Sequence, residues 1–173
     1  KSLGVERVIA VSAVGSLRED FAPLHFVVPD QIVDRTKGRT STFFGQGIVA
    51  HVTFDRPFCA DQSKLLFEKA QGLGLTVHSG GAYLCMEGPA FSTKAESELH
   101  RKLGCSIIGM TAIPEAKLAR EAELCYSMAA LVTDYDCWKE GSEVSNAQVV
   151  ETIHANVANA IALLAATLPA AAA

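Results

Sequence analysis

Short apolar runs rich in β-branched residues alternate along the chain with longer segments in which apolar positions recur at helical spacing. The short runs have the length of buried strands, and several end at glycine or polar residues that interrupt a strand. Such runs are typical of a sheet that is covered on both faces. The predicted strands are Arg7–Ser12, Phe26–Val28, Ile48–Phe54, Leu75–His78, Ala82–Met86, Cys105–Met110 and Leu124–Thr133.

Helix signals lie between and after these strands. Asp61–Gly72 begins with an aspartate suited to an N-cap and ends with a C-capping glycine, and Pro114 suits the first position of another helix. Two capping boxes, Thr93-x-x-Glu96 and Ser145-x-x-Gln148, open two more helices. Apolar residues then recur at every fourth position and predict one apolar stripe on the last helix. The stripe consists of Val149, Ile153, Val157 and Ile161.

This alternation of strands and helices predicts an α/β fold, with a sheet flanked by helices on both faces. No repeat, linker or domain boundary interrupts the pattern, so we expect residues 1–173 to form a single domain. The alanine-rich end, Leu168–Ala173, is predicted to be a frayed tail.

Composition excludes several classes of protein. The net charge of −4 argues against a duplex-binding protein, which would carry a concentrated basic face. Apolar residues make up 49% of the chain and charged residues 20%, which argues against disorder. The longest apolar runs have about ten residues, whereas a bilayer span needs roughly 20. We therefore expect neither a nucleic-acid partner nor a membrane partner.

The five cysteines are scattered and form no C-x-x-C pair. Cys85, Cys105 and Cys125 lie in apolar strand-like segments, which predicts buried, reduced thiols. No secretory segment is visible at the start of the sequence. The sequence therefore favours a cytoplasmic location.

Polar residues follow three of the predicted strands, where ligands bind in open α/β sheets. Ser12, Ala13 and Ser16 follow the first strand, Thr111 follows Cys105–Met110, and Asp134 and Asp136 follow Leu124–Thr133. Hydroxyl groups and backbone amides at such an edge suit a phosphate, although the serines also fit an ordinary turn. The two aspartates would face the same side of a regular strand and could recognise a heterocycle, or they could shape a turn or cap a helix.

Other chemistries have weaker signals. No phosphate-binding P-loop or dinucleotide fingerprint is present, and no histidine near the two aspartates supports a metal site. His51 interrupts an apolar run and is interpreted as a core or interface residue. His100 and His154 fall on helices, where we expect them to be solvated.

Linked motifs in the second half of the chain carry more specific information about function than the strand ends do. Glu87-Gly88-Pro89-Ala90-Phe91-Ser92 resembles the E-G-P-x-F-S segment of the methylthioadenosine phosphorylases, and Ala95-Glu96-Ser97, Gly109-Met110-Thr111 and Thr133-Asp134-Tyr135-Asp136-Cys137-Trp138 follow in that family's order. These enzymes belong to the trimeric purine nucleoside phosphorylases. The resemblance implies a mixed, mostly parallel sheet, a homotrimer, and phosphate-dependent cleavage of 5′-methylthioadenosine to adenine and 5-methylthioribose 1-phosphate.

The resemblance also implies a role for each matching residue. Ser12, the backbone of Ala13, and Thr111 would hold phosphate, and Met110 would lie along the ribose. Phe91 would stack on the purine, while Ser92, Asp134 and Asp136 would meet its polar edges. Asp134 would be the catalytic acid at N7, and His51 would reach the methylthio pocket of a neighbouring subunit. Inorganic phosphate would be a co-substrate, and neither a metal nor an organic cofactor is implied.

Three features bear on substrate and completeness. Related enzymes for 6-oxopurines carry asparagine at the position of Asp134, so the aspartate favours an adenine-type substrate. Asn146 stands where the family usually has an apolar residue near the methylthio pocket. The family's N-terminal portion, with a glycine-rich phosphate loop and an Arg-His pair, has no match in these residues, which implies a companion N-terminal polypeptide or segment. The alternatives are a broader purine nucleoside phosphorylase, a nucleosidase and a non-catalytic fragment.

Overall fold

Seven strands form one sheet in the computed structural model, which describes residues 1–141 and 145–171 apart from the side chain of Asn146. Their order across the sheet is β3-β5-β6-β1-β7-β2-β4, with the bounds β1 Arg7–Ser16, β2 Phe26–Val28, β3 Gln31–Arg35, β4 Val77–Ser79, β5 Ala82–Met86, β6 Cys105–Gly109 and β7 Cys125–Asp134. The β1–β6 and β2–β7 pairs run antiparallel, and the other neighbouring pairs are parallel. The expected mixed, mostly parallel α/β sheet is confirmed.

Helices cover both faces of the centre of this sheet. They are α1 Ala60–Gly72, α2 Lys94–Lys102, α3 Ala112–Glu121 and α4 Asn146–Ala171. Alternate residues of β7 point to opposite faces: Met128 and Val132 belong to the same apolar cluster as residues of α3, whereas Leu131 belongs to the cluster that includes Leu66 of α1 and Leu163 of α4. Burial on both faces explains why β7 is an almost continuous apolar run.

The two predicted helix starts at Thr93 and Ser145 are confirmed, because such a cap depends on residues a few positions apart. The predicted N-cap at Asp61 is wrong: Cys59 is the N-cap of α1, and no side chain caps that helix. The Thr93 hydroxyl accepts a hydrogen bond from the Glu96 N–H, and the Glu96 carboxylate accepts one from the Thr93 N–H, at 3.2 and 2.8 Å. The Gln148 N–H donates to Ser145 Oγ at 3.2 Å. These contacts satisfy N–H groups that helix starts leave unpaired.

Predictions that depended on a partner strand were less successful. The predicted strand Ile48–Phe54 is wrong: this segment is irregular, and Ile48 and Val49 are 65% and 77% exposed. Its apolar alternation has no partner strand among the described residues, so it lies on the surface. Conversely, the short edge strand β3 carries few apolar residues and gave no recognisable pattern, yet it pairs with β5 along its length. β1 also continues past Ser12 as far as Ser16.

α4 differs from its prediction in two ways. Val157 and Ile161 are exposed, while Asn156, Leu163 and Thr167 are buried. A four-residue repeat drifts by about 40° per step against the helical period, so the predicted stripe winds away from the sheet. The helix also continues through Leu168 to Ala171, so the predicted fraying is wrong there; residues 172–173 lie outside the described residues.

The apolar stretch of α4 is longer than the ten-residue run that the sequence analysis recognised. Within the described residues, one helix is long and apolar enough to cross a membrane, at Ala147–Ala171. This helix nevertheless packs on β7 and α1, and its Asn156 amide donates to the Leu24 carbonyl at 3.0 Å. The absence of a membrane partner stays a prediction.

Two further expectations are wrong. Cys125 is not a free thiol, because it forms a disulfide with Cys59, which places the segment before α1 against the start of β7. Cys85 and Cys105 are free and buried, as predicted. His100 is 5% exposed rather than solvated, because it lies on the face of α2 that packs inward, whereas His154 is exposed.

β1 leaves one edge largely unpaired within the described part of the chain. It pairs with β7 from Arg7 to Gly15, but it meets β6 only at Gly15 and Ser16. A cavity of about 840 Å³ runs beside the unpaired stretch, and Val8, Ile9, Ala10 and Val11 of β1 form part of its wall. The open edge therefore faces a groove large enough for another chain segment.

Candidate active site

A pocket of about 350 Å³ lies at the end of β7 and beside the middle of β1. It collects most of the residues that the sequence analysis singled out, although they are far apart in the chain. Those residues are Ser12, Ala13, Phe91, Met110, Thr111, Asp134 and Asp136. Thr111 and Val11 also line the larger cavity beside β1, so the two cavities adjoin.

Two hydroxyl groups meet on one side of the pocket. Ser12 Oγ and Thr111 Oγ1 are 2.9 Å apart, and Ser12 Oγ also lies 3.2 Å from the Ala13 carbonyl. Ser12 is inside β1 rather than in a turn, which excludes the turn interpretation for this residue. Thr111 lies at the N-cap of α3, but the first turn of this helix offers few free N–H groups, because the Thr111 N–H donates to the Tyr83 hydroxyl and Pro114 has no N–H. The donors in this corner are therefore the two hydroxyl groups. This corner is chemically suited to phosphate oxygens.

Asp134, the last residue of β7, is almost fully buried and lines the same pocket. Its Oδ2 accepts a hydrogen bond from the Thr133 hydroxyl, and its Oδ1 accepts one from the Asp136 N–H, both at 2.7 Å. Burial raises the pKa of Asp134, although these two donors oppose the shift. The carboxyl is thus held in one position and biased towards its protonated form.

The two aspartates do not sit on a regular strand, so the prediction that they face the same side for that reason is wrong. β7 ends at Asp134, and the backbone of Asp136 has a φ of +52°. The N–H of Asp136 turns back onto the Asp134 carboxylate, so the turn-shaping alternative also describes this pair. Both side chains still line the pocket, and burial raises the pKa of Asp136 as well.

Apolar side chains complete the pocket. Phe91 lines the pocket with an aromatic ring that is 47% exposed, and Met86 and Met110 line it with flexible apolar side chains. Ser92 stands apart from the pocket lining: its carbonyl accepts from Cys137 Sγ, and its hydroxyl lies 3.9 Å from Met86 Sδ. A flat aromatic ligand flanked by apolar walls and carboxyl groups would fit this arrangement.

Sequence reasoning missed Arg39, which holds the pocket wall from outside. Its guanidinium donates to the carbonyls of Met110 and Glu87 at 2.6 and 2.8 Å, and to the Glu87 carboxylate at 3.1 Å. These contacts fasten the chain after β3 to the strand end that carries Met110. Arg39 lies in a polar stretch between predicted elements, and only its tertiary contacts distinguish it from a solvated arginine.

Gly15 was also missed, although it sits directly against the catalytic candidate. A Cβ at Gly15 would lie 3.0 Å from Asp134 Oδ1 and 3.1 Å from Ile108 Cγ2. A larger residue would therefore push the carboxylate or the neighbouring β6 strand. No signal in the sequence other than the glycine itself could have indicated this close approach.

His51 is exposed and lies outside the pocket, so its interpretation as a core residue is wrong. It belongs to an irregular stretch, residues 43–52, that carries several exposed apolar side chains. Those side chains are Phe43, Phe44, Ile48, Val49 and Val52. A role of His51 in a neighbouring subunit stays a prediction. The side chain of Asn146 lies outside the described residues.

The pocket has no cation of its own within the described residues: neither lysine nor arginine lines it. Among the same residues, no group of three or more histidine, cysteine, aspartate or glutamate side chains is placed to hold a metal. The expectation that no metal takes part stays a prediction.

Comparison with known proteins places the chain and its fold in one class. The phosphorylase superfamily matches residues 1–169, and the chain belongs to that family. S-methyl-5′-thioadenosine phosphorylase from Geobacter sulfurreducens is 58% identical over 95% of this chain, and the enzyme of the same name from Chloroflexus aurantiacus is 61% identical over 91%. The resemblance seen in the motifs is thereby confirmed.

Solved structures that are similar to this chain are also methylthioadenosine phosphorylases. The chain has a TM-score of 0.96 and 34% identity to methylthioadenosine phosphorylase from Schistosoma mansoni in complex with adenine, covering 99% of this chain and 68% of that one. It has a TM-score of 0.94 and 43% identity to a methylthioadenosine phosphorylase from an antarctic soil metagenomic library. The chain spans 58% and 55% of the lengths of the Geobacter and Chloroflexus relatives.

Proposed function

We propose that this chain supplies the nucleoside-binding part of an enzyme that cleaves 5′-methylthioadenosine with inorganic phosphate, giving adenine and 5-methylthioribose 1-phosphate. The observation that carries the proposal is one pocket lined both by the Ser12–Thr111 hydroxyl pair and by the buried carboxyl of Asp134. The names of its relatives support the same reaction.

The chemistry follows from where charge develops. As the glycosidic bond breaks, the ribose becomes positive and the departing purine becomes negative. Phosphate bound at Ser12, the Ala13 backbone and Thr111 would stabilise and then capture the sugar, while Asp134 would protonate or hydrogen-bond the purine at N7. A raised pKa suits this role, since a positioned acid contributes about 10²–10⁴-fold to rate.

In this proposal the purine lies against Phe91, with Asp136 near its polar edge and Met110 along the ribose. Ser92 lies outside the pocket lining, so a contact between its hydroxyl and the purine would require this side chain to turn towards the pocket. Asp134 and Asp136 favour a 6-amino group, because carboxylate oxygens accept hydrogen bonds from it. No metal or organic cofactor is proposed, because attack by phosphate on the sugar and protonation of the purine require neither. The proposed location is the cytoplasm.

The phosphate corner needs a cation from another source. A phosphate in a pocket that also holds two carboxyl groups, with no lysine or arginine in the described lining, would be poorly stabilised. We propose that a companion N-terminal segment provides the cation and lies in the groove beside β1. An unpaired strand edge offers hydrogen bonds to such a segment, and this groove adjoins the phosphate corner at Thr111.

The test is phosphorolysis measured with the 173-residue chain alone and with the missing N-terminal portion of a relative added in trans. We expect little activity alone and phosphate-dependent adenine release from the combination. Adenine release without phosphate would indicate a nucleosidase. Equal rates with adenosine and inosine would indicate a broader nucleoside phosphorylase, and inactivity of both preparations would favour a non-catalytic fragment.

We propose a homotrimer in which residues 43–52 contact the neighbouring subunit. Five exposed apolar side chains on one short stretch are unusual for a surface that stays in water. His51 lies within this stretch and would thereby reach the 5′ end of a neighbour's substrate.

A further inference from the structure

Three buried polar atoms behind the pocket lack hydrogen-bond partners among the described residues. They are Asp136 Oδ2, Ser97 Oγ and His100 Nδ1. Asp136 is 5% exposed, His100 is 5% exposed, and Ser97 has no exposure. Buried polar atoms are paired in most proteins, because leaving one without a hydrogen bond destabilises the fold. Three of them together therefore call for a physical explanation.

The three residues form one cluster. Ser97 and His100 are one turn apart on α2, so both point from its buried face. The turn that follows Asp136 packs against this end of α2, since the Arg101 guanidinium lies 3.6 Å from the centre of the Trp138 ring. In keeping with this packing, His100 and the Ser97 hydroxyl lower the pKa of Asp136. Asp136 also lines the pocket, which means that its carboxyl stands between α2 and the ligand space.

We infer that His100, with Ser97, is a positioning residue for Asp136: the two side chains hold the buried side of its carboxyl so that the other side faces the purine's amino group. Catalytic hydrogen bonds are often long in an empty site and tighten when the ligand binds. The unpaired atoms are thus the contacts that close once a purine engages Asp136. This inference rests on the proposed function.

The surrounding charges define the protonation states. Burial lowers the pKa of His100, so its imidazole is neutral at pH 7 and can offer one N–H to a carboxylate. Asp136 and Glu96 raise the pKa of His100, and Arg35 on β3 lowers it. Asp136 in turn raises the pKa values of its neighbours Asp134 and Cys137. A neutral donor at His100 therefore stabilises the ionised, hydrogen-bond-accepting form of Asp136.

The experiment compares His100→Phe, which keeps a ring but removes the donor, with His100→Asn, which keeps a donor near the Nδ1 position. His154→Phe, at an exposed histidine of α4, is the matched control. The Asp136 carboxyl is titrated by ¹³C NMR, and adenine binding is measured by calorimetry between pH 5 and 8.

We expect His100→Phe to move the Asp136 titration to higher pH and to weaken adenine binding roughly three- to tenfold, the value of one hydrogen bond. His100→Asn should restore most of both, and His154→Phe should match the unmodified chain. An unchanged Asp136 titration in His100→Phe would overturn the inference, as would equal losses of affinity in both His100 variants.

Failure of the proposed function gives a different result. If the unmodified chain does not bind adenine, the proposed purine site is wrong. The carboxyl titration then still decides whether His100 acts on Asp136: an unchanged titration overturns the coupling, and a shift without adenine binding overturns the purine part of the inference.

Discussion

At the scale of single residues, the environment of Asp134 gives one carboxyl two tasks. The Thr133 hydroxyl and the Asp136 N–H fix its orientation, which makes it part of the turn that ends β7. The same burial that requires these donors also raises its pKa and so favours a proton donor. Turn formation and acid chemistry are therefore complementary interpretations of the D-x-D sequence.

Asp134→Asn should shift preference from adenine towards hypoxanthine. An asparagine can still accept the Asp136 N–H through its oxygen, and its amide can donate to the O6 of a 6-oxopurine. The Thr133 hydroxyl keeps an acceptor in the Val14 carbonyl at 3.2 Å, so the turn should survive. Calorimetry with both bases should show the adenine-to-hypoxanthine affinity ratio falling at least about tenfold, the value of roughly 1.4 kcal/mol. The exposed Asp55→Asn is the control, and an unchanged ratio would contradict the proposed contact.

The same substitution should change stability in a pH-dependent manner. Burial raises the pKa of Asp134 above that of an aspartate in the unfolded chain, so the folded state binds the proton more tightly than the unfolded state. Stability is then lost as pH rises from the unfolded-state pKa through the folded-state pKa, and the penalty is larger at pH 7 than at pH 3. The change in Tm caused by Asp134→Asn should therefore be more favourable at pH 7 than at pH 3. The difference should be about 2–4 °C for each kcal/mol of burial penalty that the substitution removes. Thermal unfolding at both pH values checks this; greater destabilisation at pH 7 than at pH 3 would mean that the carboxylate is net stabilised.

At the scale of elements, local signals predicted structure well and non-local ones did not. The caps at Thr93 and Ser145 require only residues within one turn, and both are present. The segment Ile48–Phe54 has the composition of a strand, but a strand needs a neighbour, and none of the strands in the described residues lies beside it. β3 is the opposite case: its apolar pattern is too weak to predict a strand, but its pairing with β5 makes it one.

The capping box of α2 gives a direct test at this scale. Thr93→Ala removes the acceptor for the Glu96 N–H and the hydroxyl that donates to the Glu96 carboxylate at 2.8 Å. Such losses cost about 1 kcal/mol, which corresponds to a fall in Tm of about 2–4 °C for a domain of this size. Thr40→Ala, at an exposed threonine in a loop, should leave Tm unchanged. If the two variants unfold at the same temperature, the capping box contributes nothing measurable.

At the scale of the whole molecule, most of the candidate site was predictable because strand ends bring distant residues together. Ser12, Thr111 and Asp134 are separated by up to 122 positions, yet β1, β6 and β7 are neighbours in the sheet. The supporting contacts were not predictable in this way. Arg39 and His100 act through loop and helix packing, and the Cys59–Cys125 disulfide depends on a tertiary approach that spacing does not reveal.

Assembly gives the last prediction, since the proposed purine pocket lies in one chain whereas His51 would act in another. Val49→Asp places a charge in the exposed apolar stretch 43–52, and burying that charge between subunits would cost several kcal/mol. Sedimentation should show three chains of 18.4 kDa per particle for the unmodified protein and one for the variant. Leu103→Asp, at an apolar residue that is 57% exposed outside this stretch, should remain trimeric.

Loss of the trimer should also affect binding of the two ends of the substrate differently. Adenine contacts only residues of the same chain in the proposed site, so its affinity should be unchanged in Val49→Asp. The higher affinity for 5′-methylthioadenosine than for adenosine should disappear, because His51 can no longer reach the binding site of a neighbouring subunit. A trimeric Val49→Asp protein would show that residues 43–52 are not the subunit contact, and a monomeric variant that keeps the methylthio preference would exclude His51 from the 5′ site.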